Sequence, residues 1–461
     1  MSGERDELSK RDELSIGEDD VLQLRRDAAA AVADNEHTRA IGLYTRLLTI
    51  TSPRASDLVT ADIRLEALRE RGRLFNLLGE PQAALAAYEQ YYVEAGDSRH
   101  AVDALVAIGN QCTYMNLTDR ALEAQRDALR LAESLGYTSG RAMALGGIGL
   151  VYNYLDRSEE ALTYLHKALT LFDQLGDRAE QARGWNRIGV AHVRLGQLDK
   201  AILAFRSSSE LAHDVGDSGP VVQEMAVISL NNLGECYQNL FDMEQALATH
   251  RKGLSMAQTT DLPYLEADLA RNLGVDLRFL GLIEEGIEYL HRSLELSLET
   301  NQPDVEVQAM YSLAMAELQR GNWIEARAMA ERLQAKAEPN NNKGSLAEAL
   351  HALGHAQRQM GDLSAAQGCW QQALFLAHET GRRMLLWRLH AALAEVAGGQ
   401  ELAGVHNQIA AEIIRQIANP IEDLELRQKF LEAKPVSAVL NQSAGGWGRL
   451  SQSEDSPGPI S

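Results

Sequence analysis

The sequence predicts an all-α solenoid of about ten helical hairpins closed by a C-terminal capping helix, and three periodic features predict it. Small residues recur near every 40 positions: Gly109, Gly149 and Gly189 are 40 apart, Gly234 follows after 45, and Gly274, Ala314 and Gly354 follow at 40 each. Outward from these anchors, Gly72 lies 37 before Gly109, Ala28 lies 44 before Gly72, and Ala391 lies 37 after Gly354. Seven residues after the anchor stands a helix breaker: Asn35, Gly79, Asn116, Asp156, Gly196, Gly281, Gly321, Gly361 and Gly398, with Phe241 the exception. Twelve after the anchor comes a second small residue, Ala40, Ala84, Ala121, Ala161, Ala201, Ala246, Gly286, Ala326, Ala366 and Ala403.

Each position has a physical reading. Large aliphatics precede the anchor (Ile108, Ile148, Ile188, Leu233, Leu273, Leu313, Leu353) and the apolar spacing is three and four, as a helix A requires. The breaker ends that helix, because Gly, Asn or Asp takes the left-handed cap conformation. A helix B follows, as in EEALTYLHKALTLFDQL after Asp156. Small residues at the anchor and at plus twelve let the two helices approach closely. Such a pair cannot bury its apolar face alone, so stacked neighbours supply the core.

Along the chain, residues 1–19 repeat RDELSK as RDELSI and read as a charged, disordered tail. The array spans 20–434, with loop expansions at Thr51–Asp57 and Asp214–Pro220 and a turn-rich junction at Glu338–Lys343. Its last helix, 421–434, is amphipathic and suited to capping the open end. Ser, Gly and Pro accumulate from Pro435, so 435–461 reads as a disordered tail.

Composition excludes several classes. The 461 residues carry 44 basic and 65 acidic side chains, a formal charge of −21 that disfavours nonspecific nucleic-acid binding. Three scattered cysteines without a CxxC pair exclude a disulfide-stapled domain and a zinc ribbon. No apolar run reaches membrane-spanning length and no signal-peptide core precedes the array, so the expectation is a cytoplasmic protein without a membrane partner. Walker, HExxH and GxSxG patterns are missing, so no catalysis, metal or cofactor is expected. His351 and His355, four apart, could share a metal, but no acidic third ligand lies near in sequence and groove polarity is the reading. Cys112 and Cys236 read as buried thiols. Trp185, Trp323 and Trp370 read as packing residues.

The stretches RIGVAHVRLGQLDKAILAF and NLGVDLRFLGLIEEGIEYLHRSLEL resemble tetratricopeptide repeats, with Tyr88, Leu165, Phe205, Leu290 and Trp370 at the family's later large position. The period is nearer 40 than the usual ~34. In this the chain is similar to Pins-type spindle adaptors, kinesin light chains and bacterial regulator sensor arrays, over about residues 21–434. The resemblance implies a right-handed superhelix whose helix A positions −6, −3, −2, +1, +4 and +5 line a concave groove. Carried over residue by residue, the groove would contain Arg183, Asn186, Arg187, Arg194, Asn231, Asn232, Gln238, Arg271, Asn272, Arg278, Phe279, Tyr311, Met315, His351, His355 and Arg358, with Arg388 added by the tenth repeat. Over repeats five to ten these positions hold seven arginines against four acids, Glu235, Asp268, Glu348 and Glu395. Over repeats two to four they hold two arginines against three acids, so the excess is local. The family's dicarboxylate clamp is incomplete, since Val106 and Gly147 stand where Lys and Asn are needed. The expected function is therefore a non-catalytic adaptor or scaffold that binds a protein or peptide, with an acidic segment in the groove. The alternative is a sensor subunit controlling a separately encoded signalling enzyme or transcription activator.

Overall fold

The 40-residue period is realised as two helices and two turns. The computed structural model describes residues 18–34, 36–51, 58–214 and 220–450, and among them every regular element is an α-helix. The chain divides after Asp177 into two compact units, each described by itself. The N-terminal unit holds repeats one to four: α1 (Glu18–Ala33), α2 (His37–Ile50), α3 (Leu58–Leu77), α4 (Pro81–Ala95), α5 (Arg99–Tyr114), α6 (Thr118–Ser134), α7 (Thr138–Tyr154) and α8 (Ser158–Leu175). The C-terminal unit holds repeats five to ten: α9 (Arg178–Arg194), α10 (Leu198–Asp214), α11 (Pro220–Asn239), α12 (Met243–Thr259), α13 (Pro263–Phe279), α14 (Ile283–Glu299), α15 (Pro303–Arg320), α16 (Trp323–Ala337), α17 (Lys343–Gln359), α18 (Leu363–Glu379), α19 (Arg383–Val396) and α20 (Gln400–Ala418). Two further helices, α21 (Leu424–Glu432) and α22 (Lys434–Leu450), complete it.

The hairpin rests on one close approach. The large side chain sixteen residues after the anchor lies over it, so an added Cβ at Gly72, Gly189 or Gly274 would come within 2.4–2.5 Å of Tyr88, Phe205 or Leu290. Where that residue carries an N–H, it also reaches the carbonyl three before the anchor. Gln125 Nε2 donates to Val106 O at 3.2 Å, and Trp370 Nε1 donates to His351 O at 3.1 Å. The plus-twelve alanines from Ala40 to Ala366 are fully buried, whereas Ala403 in the last repeat is only half-buried. Cys112 and Cys236 are buried, and burial pushes both thiols up.

The breakers behave as the sequence requires. Gly79, Asn116, Asp156, Gly196, Gly281, Gly321 and Gly361 all have positive φ. Phe241, the exception in sequence, is no exception in geometry: its φ is 57°. A bulky residue is strained there, and its ring is held edge-on to Phe279 at 5.9 Å and stacked on Phe430 at 6.2 Å. In the last repeat α19 stops at Val396 and Ala397 leaves it at φ −61°, ψ 137°, so Gly398 does not make the left-handed turn. Asn35 lies outside the described residues, as do 1–17, 52–57, 215–219 and 451–461.

Both ends differ from expectation. Helix α1 already includes Glu18 and Asp19 of the expected tail. The expected last helix narrows to α21, and α22 follows where disorder was expected. Its apolar residues recur at helical spacing, with Val436 fully buried and Val439 5% exposed, which composition alone concealed. Among the described residues no helix is long and apolar enough to cross a membrane.

The anchor contact predicts opposite outcomes for two glycine-to-alanine changes in repeat nine. Gly354→Ala sets a Cβ 2.3 Å from the buried Trp370 Nε1 and should destabilise by ~1–3 kcal/mol. Gly368, in α18, meets nothing within 4 Å, so Gly368→Ala should stabilise by up to about 1 kcal/mol. Denaturant unfolding of both variants measures the contrast.

Candidate binding site

The expected groove residues of repeats five to ten separate into three groups. The first joins neighbouring repeats. Asn231 Nδ2 donates to Asp268 Oδ2 at 2.9 Å, and Asn272 Nδ2 donates to Asn231 Oδ1 at 2.9 Å. Arg271 pairs with Asp268 at 2.6 Å and with Glu235 at 3.0 Å. Gln238 Nε2 donates to Asp276 Oδ1 at 2.7 Å, and the other oxygen of Asp276 lies 2.6 Å from His250 Nδ1. This network fastens α11 and α12 to α13, and Asn231 and Asn272 are buried in it rather than presented to a groove. Burial opposes the charge on Arg271, but Asp268 and Glu235 outweigh it and hold the guanidinium above its ordinary value.

The second group stays apart from any cavity. Arg183 pairs with Glu180 in its own helix. Asn186 Oδ1 accepts from Asn232 Nδ2 at 3.0 Å. Arg187 lines neither cavity described below, and Arg358 is paired with Glu395.

The third group meets in a chamber of two adjoining lobes, each of about 580 Å³. The first lobe is walled by Arg271, Arg278 and Phe279 of α13, Tyr311 and Met315 of α15, His351 and His355 of α17, and Trp387 and Arg388 of α19. Gln238, Phe241 and four residues of α22 (Pro435, Ala438, Val439, Gln442) complete it. The second lobe lies between Arg194 at the end of α9, the start of α19 with Arg382, Arg383 and Arg388, and the end of α20 with Gln416 and Pro420. The lobes share Asn239, Tyr311, Glu348, Met384 and Arg388.

Charge in the chamber is one-sided. Six arginines line it (194, 271, 278, 382, 383, 388) against Glu348 and Glu395, in a chain of net charge −21. Glu348 is engaged by Arg382, and Glu395 by Arg358. Arg278 has no ion pair among the described residues. Its guanidinium lies 4.1 Å from the Phe279 ring centroid, Nη1 donates to Gln319 at 3.3 Å, and Nε is buried without a partner. Burial, then the charge of Arg388, push Arg278 down to about 10. Tyr311 OH shares a hydrogen bond with His351 Nδ1 at 3.1 Å, and the Nε2 atoms of His351 and His355 are 3.2 Å apart. Burial holds His351 well below its ordinary value, with His355, Arg388 and Arg278 adding to the effect. Burial and Arg358 bring His355 to about 4. Among the described residues no three His, Cys, Asp or Glu side chains are grouped to hold a metal.

One wall of the chamber is the C-terminal segment. Asp199 Oδ2 accepts from the backbone N–H groups of Glu422 and Asp423 at 2.9 and 3.0 Å, and Lys200 pairs with Glu422 at 2.8 Å. Lys429 pairs with Asp242 at 2.5 Å, and Phe430 is fully buried beside Phe241. The end of the unit is thereby tied to repeats five and six. Sequence reading missed Arg382 and Arg383, which are the N-cap and first residue of α19 rather than positions on the groove arc of helix A. It missed the α22 wall because Ser and Gly content outweighed the apolar spacing.

Comparison with known proteins bears on the fold. Tetratricopeptide-repeat family models match residues 140–213 and 227–260. No curated protein sequence matches the chain. Solved structures do. The apo quorum sensor NprR from B. thuringiensis is 16% identical with a TM-score of 0.53, covering 78% of this chain and 99% of that one. A Rap protein complexed with competence and sporulation factor is 14% identical with a TM-score of 0.52, covering 86% and 99%. A signal-transduction ATPase with a tetratricopeptide sensor from Pyrococcus horikoshii is 15% identical with a TM-score of 0.55, covering 76% of this chain and 55% of that one. At these identities the likeness is one of fold.

The buried imidazoles make stability depend on pH. In the unfolded chain they protonate near ~6.5. In the folded chain burial brings His355 and His390 to about 4, so between these values the unfolded state binds more protons and stability falls as pH drops. Stability should therefore fall between about pH 6.5 and 4, by up to ~3 kcal/mol per imidazole, and the thermal midpoint should fall with it. The double variant His355→Gln, His390→Gln should show a flatter profile; parallel profiles would contradict the assignment.

Proposed function

Because the chain is a tetratricopeptide-repeat protein whose C-terminal unit encloses an arginine-lined chamber, we propose that it is a protein- or peptide-binding adaptor or sensor that receives an acidic segment there. The observation that carries this is the pair Arg278 and Arg388, which face one chamber and have no ion pair among the described residues. A buried guanidinium without a counter-charge is costly, and a ligand carboxylate supplies both the charge and a bidentate acceptor for the guanidinium fork. Phe279, Met315, Tyr311 and His355 give the same lobe an apolar and weakly polar lining for the rest of the segment. Arg183, Asn186, Arg187 and Arg358 take no part in this reading, and Arg271 contributes through a charge already balanced.

The size of the chamber and its α22 wall favour the sensor form. Each lobe falls within the ~300–1,000 Å³ of small-ligand sites, and α22 walls one side. A short segment fits this space better than a long helix lying along an open groove. The fold likeness to a quorum sensor and to a Rap protein held with competence and sporulation factor supports the same direction.

A labelled hexaglutamate peptide tests the proposal by fluorescence anisotropy. Arg278→Ala combined with Arg388→Ala should weaken binding by about a hundredfold, the loss of two charge-assisted contacts at ~1.5 kcal/mol or more each. Arg183→Ala should leave it unchanged. Equal affinities for the double variant and the parent chain would remove the chamber from the function.

A further inference from the structure

The turns that join helix A to helix B form one edge of the C-terminal unit, and the C-terminal segment lies along part of it. Pro420 lies against the Gly196 turn of repeat five, and Asp199 accepts from the Glu422 and Asp423 N–H groups. In repeat six Lys429 pairs with Asp242, and Phe430 stacks on Phe241. Two register positions in these turns are apolar, six and nine residues after the anchor. Beside the segment, Leu195 is half-buried and Leu198, Leu240 and Met243 are buried. Leu198 and Leu240 belong to one core with Ile421 and Phe430 of the segment.

The same register continues into repeats seven to nine, and there the edge is bare. Leu280 and Met360 at plus six are exposed, and Leu363 at plus nine is 52% exposed, whereas Ile283 and Trp323 at plus nine are half-buried. Leu282 at plus eight and Ile324 at plus ten, the latter 75% exposed, widen the apolar edge. Arg320 of repeat eight pairs with Glu284 of repeat seven at 3.2 Å, which sets those two turns side by side. None of the five exposed apolar residues lines the chamber. Charge on this edge is also one-sided. From plus six to plus eleven the three turns hold Glu284, Glu285, Glu325 and Asp362 against Arg320 alone. Glu284 is engaged by Arg320 and Glu285 by Arg251. Glu325 and Asp362 are exposed, with no ion pair among the described residues.

We propose that the turn edge of repeats seven to nine is a docking surface for a basic amphipathic helix of a partner protein. Helix α21 shows how such an edge is covered: it buries Phe430 beside the turns and answers the acid Asp242 with Lys429. On the bare stretch Leu282, Ile324 and Leu363 receive the apolar face of the partner helix, and Glu325 and Asp362 receive its lysines or arginines. Three stacked turns at ~8–10 Å each span about 20 Å, the length of roughly 14 helical residues. A second copy of the chain is disfavoured as occupant, because it would bring the same acids against these. Residues 451–461 of the chain itself contain Glu454 and Asp455 and no Lys or Arg, so they lack the complementary charge. The surface is separate from the chamber, and its assignment does not depend on what the chamber binds.

Fluorescence anisotropy of the full chain with two labelled 14-residue peptides tests this. One carries leucines at helical spacing with lysines between them, and the other has glutamate in place of every lysine. The leading variant combines Ile324→Lys with Leu363→Lys, two exposed positions whose change leaves the core untouched. Its control combines Leu298→Lys with Phe375→Lys, which adds the same charge at two exposed apolar positions late in α14 and α18, away from the turns. The expected result is binding of the lysine peptide that weakens about tenfold or more in the leading variant and stays within twofold in the control, with the glutamate peptide at least tenfold weaker. Equal weakening in both variants reduces the binding to bulk charge and overturns the surface, as does binding indifferent to Ile324→Lys with Leu363→Lys. Equal affinity for the two peptides overturns the basic character of the partner. Sedimentation of the chain alone adds one more decisive outcome: a dimer abolished in the leading variant makes a second copy the occupant and overturns the proposal.

Discussion

The contact of each anchor with the side chain sixteen residues later determines which faces of the helices remain available. With a glycine at the anchor, helix B rests a large side chain directly on the backbone of helix A. The ring of Tyr88 or Phe205, or the isobutyl group of Leu290, fills the space a Cβ would occupy. Repeat eight reaches closeness differently, with Ala314 and Ala330 both small and fully buried. Because one stripe of helix A is committed to helix B, a second arc is left over, and repetition aligns that arc from repeat to repeat. The chamber of the C-terminal unit is what side chains on that arc, and on the adjoining turns, make of this leftover surface.

Arginines on the arc are not equivalent, and their neighbours decide what each can do. Arg271 is held between Asp268 and Glu235, and Arg358 by Glu395, so their charge is spent on structure. Arg278 and Arg388 point into the same space without carboxylates of their own, and their mutual repulsion adds to burial in bringing Arg278 down to about 10. Burial keeps the His351 and His355 imidazoles neutral, with Arg388 and Arg278 adding to it at His351 and Arg358 at His355, leaving Tyr311, His351 and His355 as an uncharged hydrogen-bonded chain beside the cations. In the N-terminal unit the plus-five positions, where Phe279 stands in repeat seven, present Leu77, Tyr114 and Tyr154, all exposed and uncharged. A count of charges over the arc locates the asymmetry, but only the pairing shows how much of it is free.

Periodicity carried the anchors, the alanines and most turns into correct places because these depend on backbone geometry and local volume. Phe241 shows where the turn rule generalises: once the chain must reverse at that spacing, the left-handed conformation is taken even by an aromatic residue, and Phe279 and Phe430 hold it there. Asn231 and Asn272 mark the opposite case. Their register placed them on the groove arc, yet each found a partner on the adjacent helix A, an outcome fixed by which amide meets which carboxylate across 37–41 residues. Arg382 and Arg383 escaped notice because they sit at the very start of α19, before the groove positions of its helical arc. Helix α22 escaped it because its Ser and Gly content conceals Val436 and Val439, which matter only when tertiary partners exist.

Those partners make the C-terminal segment part of the unit. Ile421, Phe430 and Val436 are fully buried and Val439 is 5% exposed, and all four belong to one core with Phe205, Leu240 and Trp387. At ~1.5–3 kcal/mol for each such side chain, the segment is held by an amount comparable with or greater than the ~8 kcal/mol of a micromolar ligand. A ligand that had to displace it would spend most of its binding energy on the displacement. The polar ties at Asp199 and Asp242 add to that cost, since removing the segment would leave both carboxylates without these partners. With a wall this firmly seated, the ligand proposed for the chamber would enter past the side chains at its rim. Arg383 is exposed there, without an ion pair among the described residues.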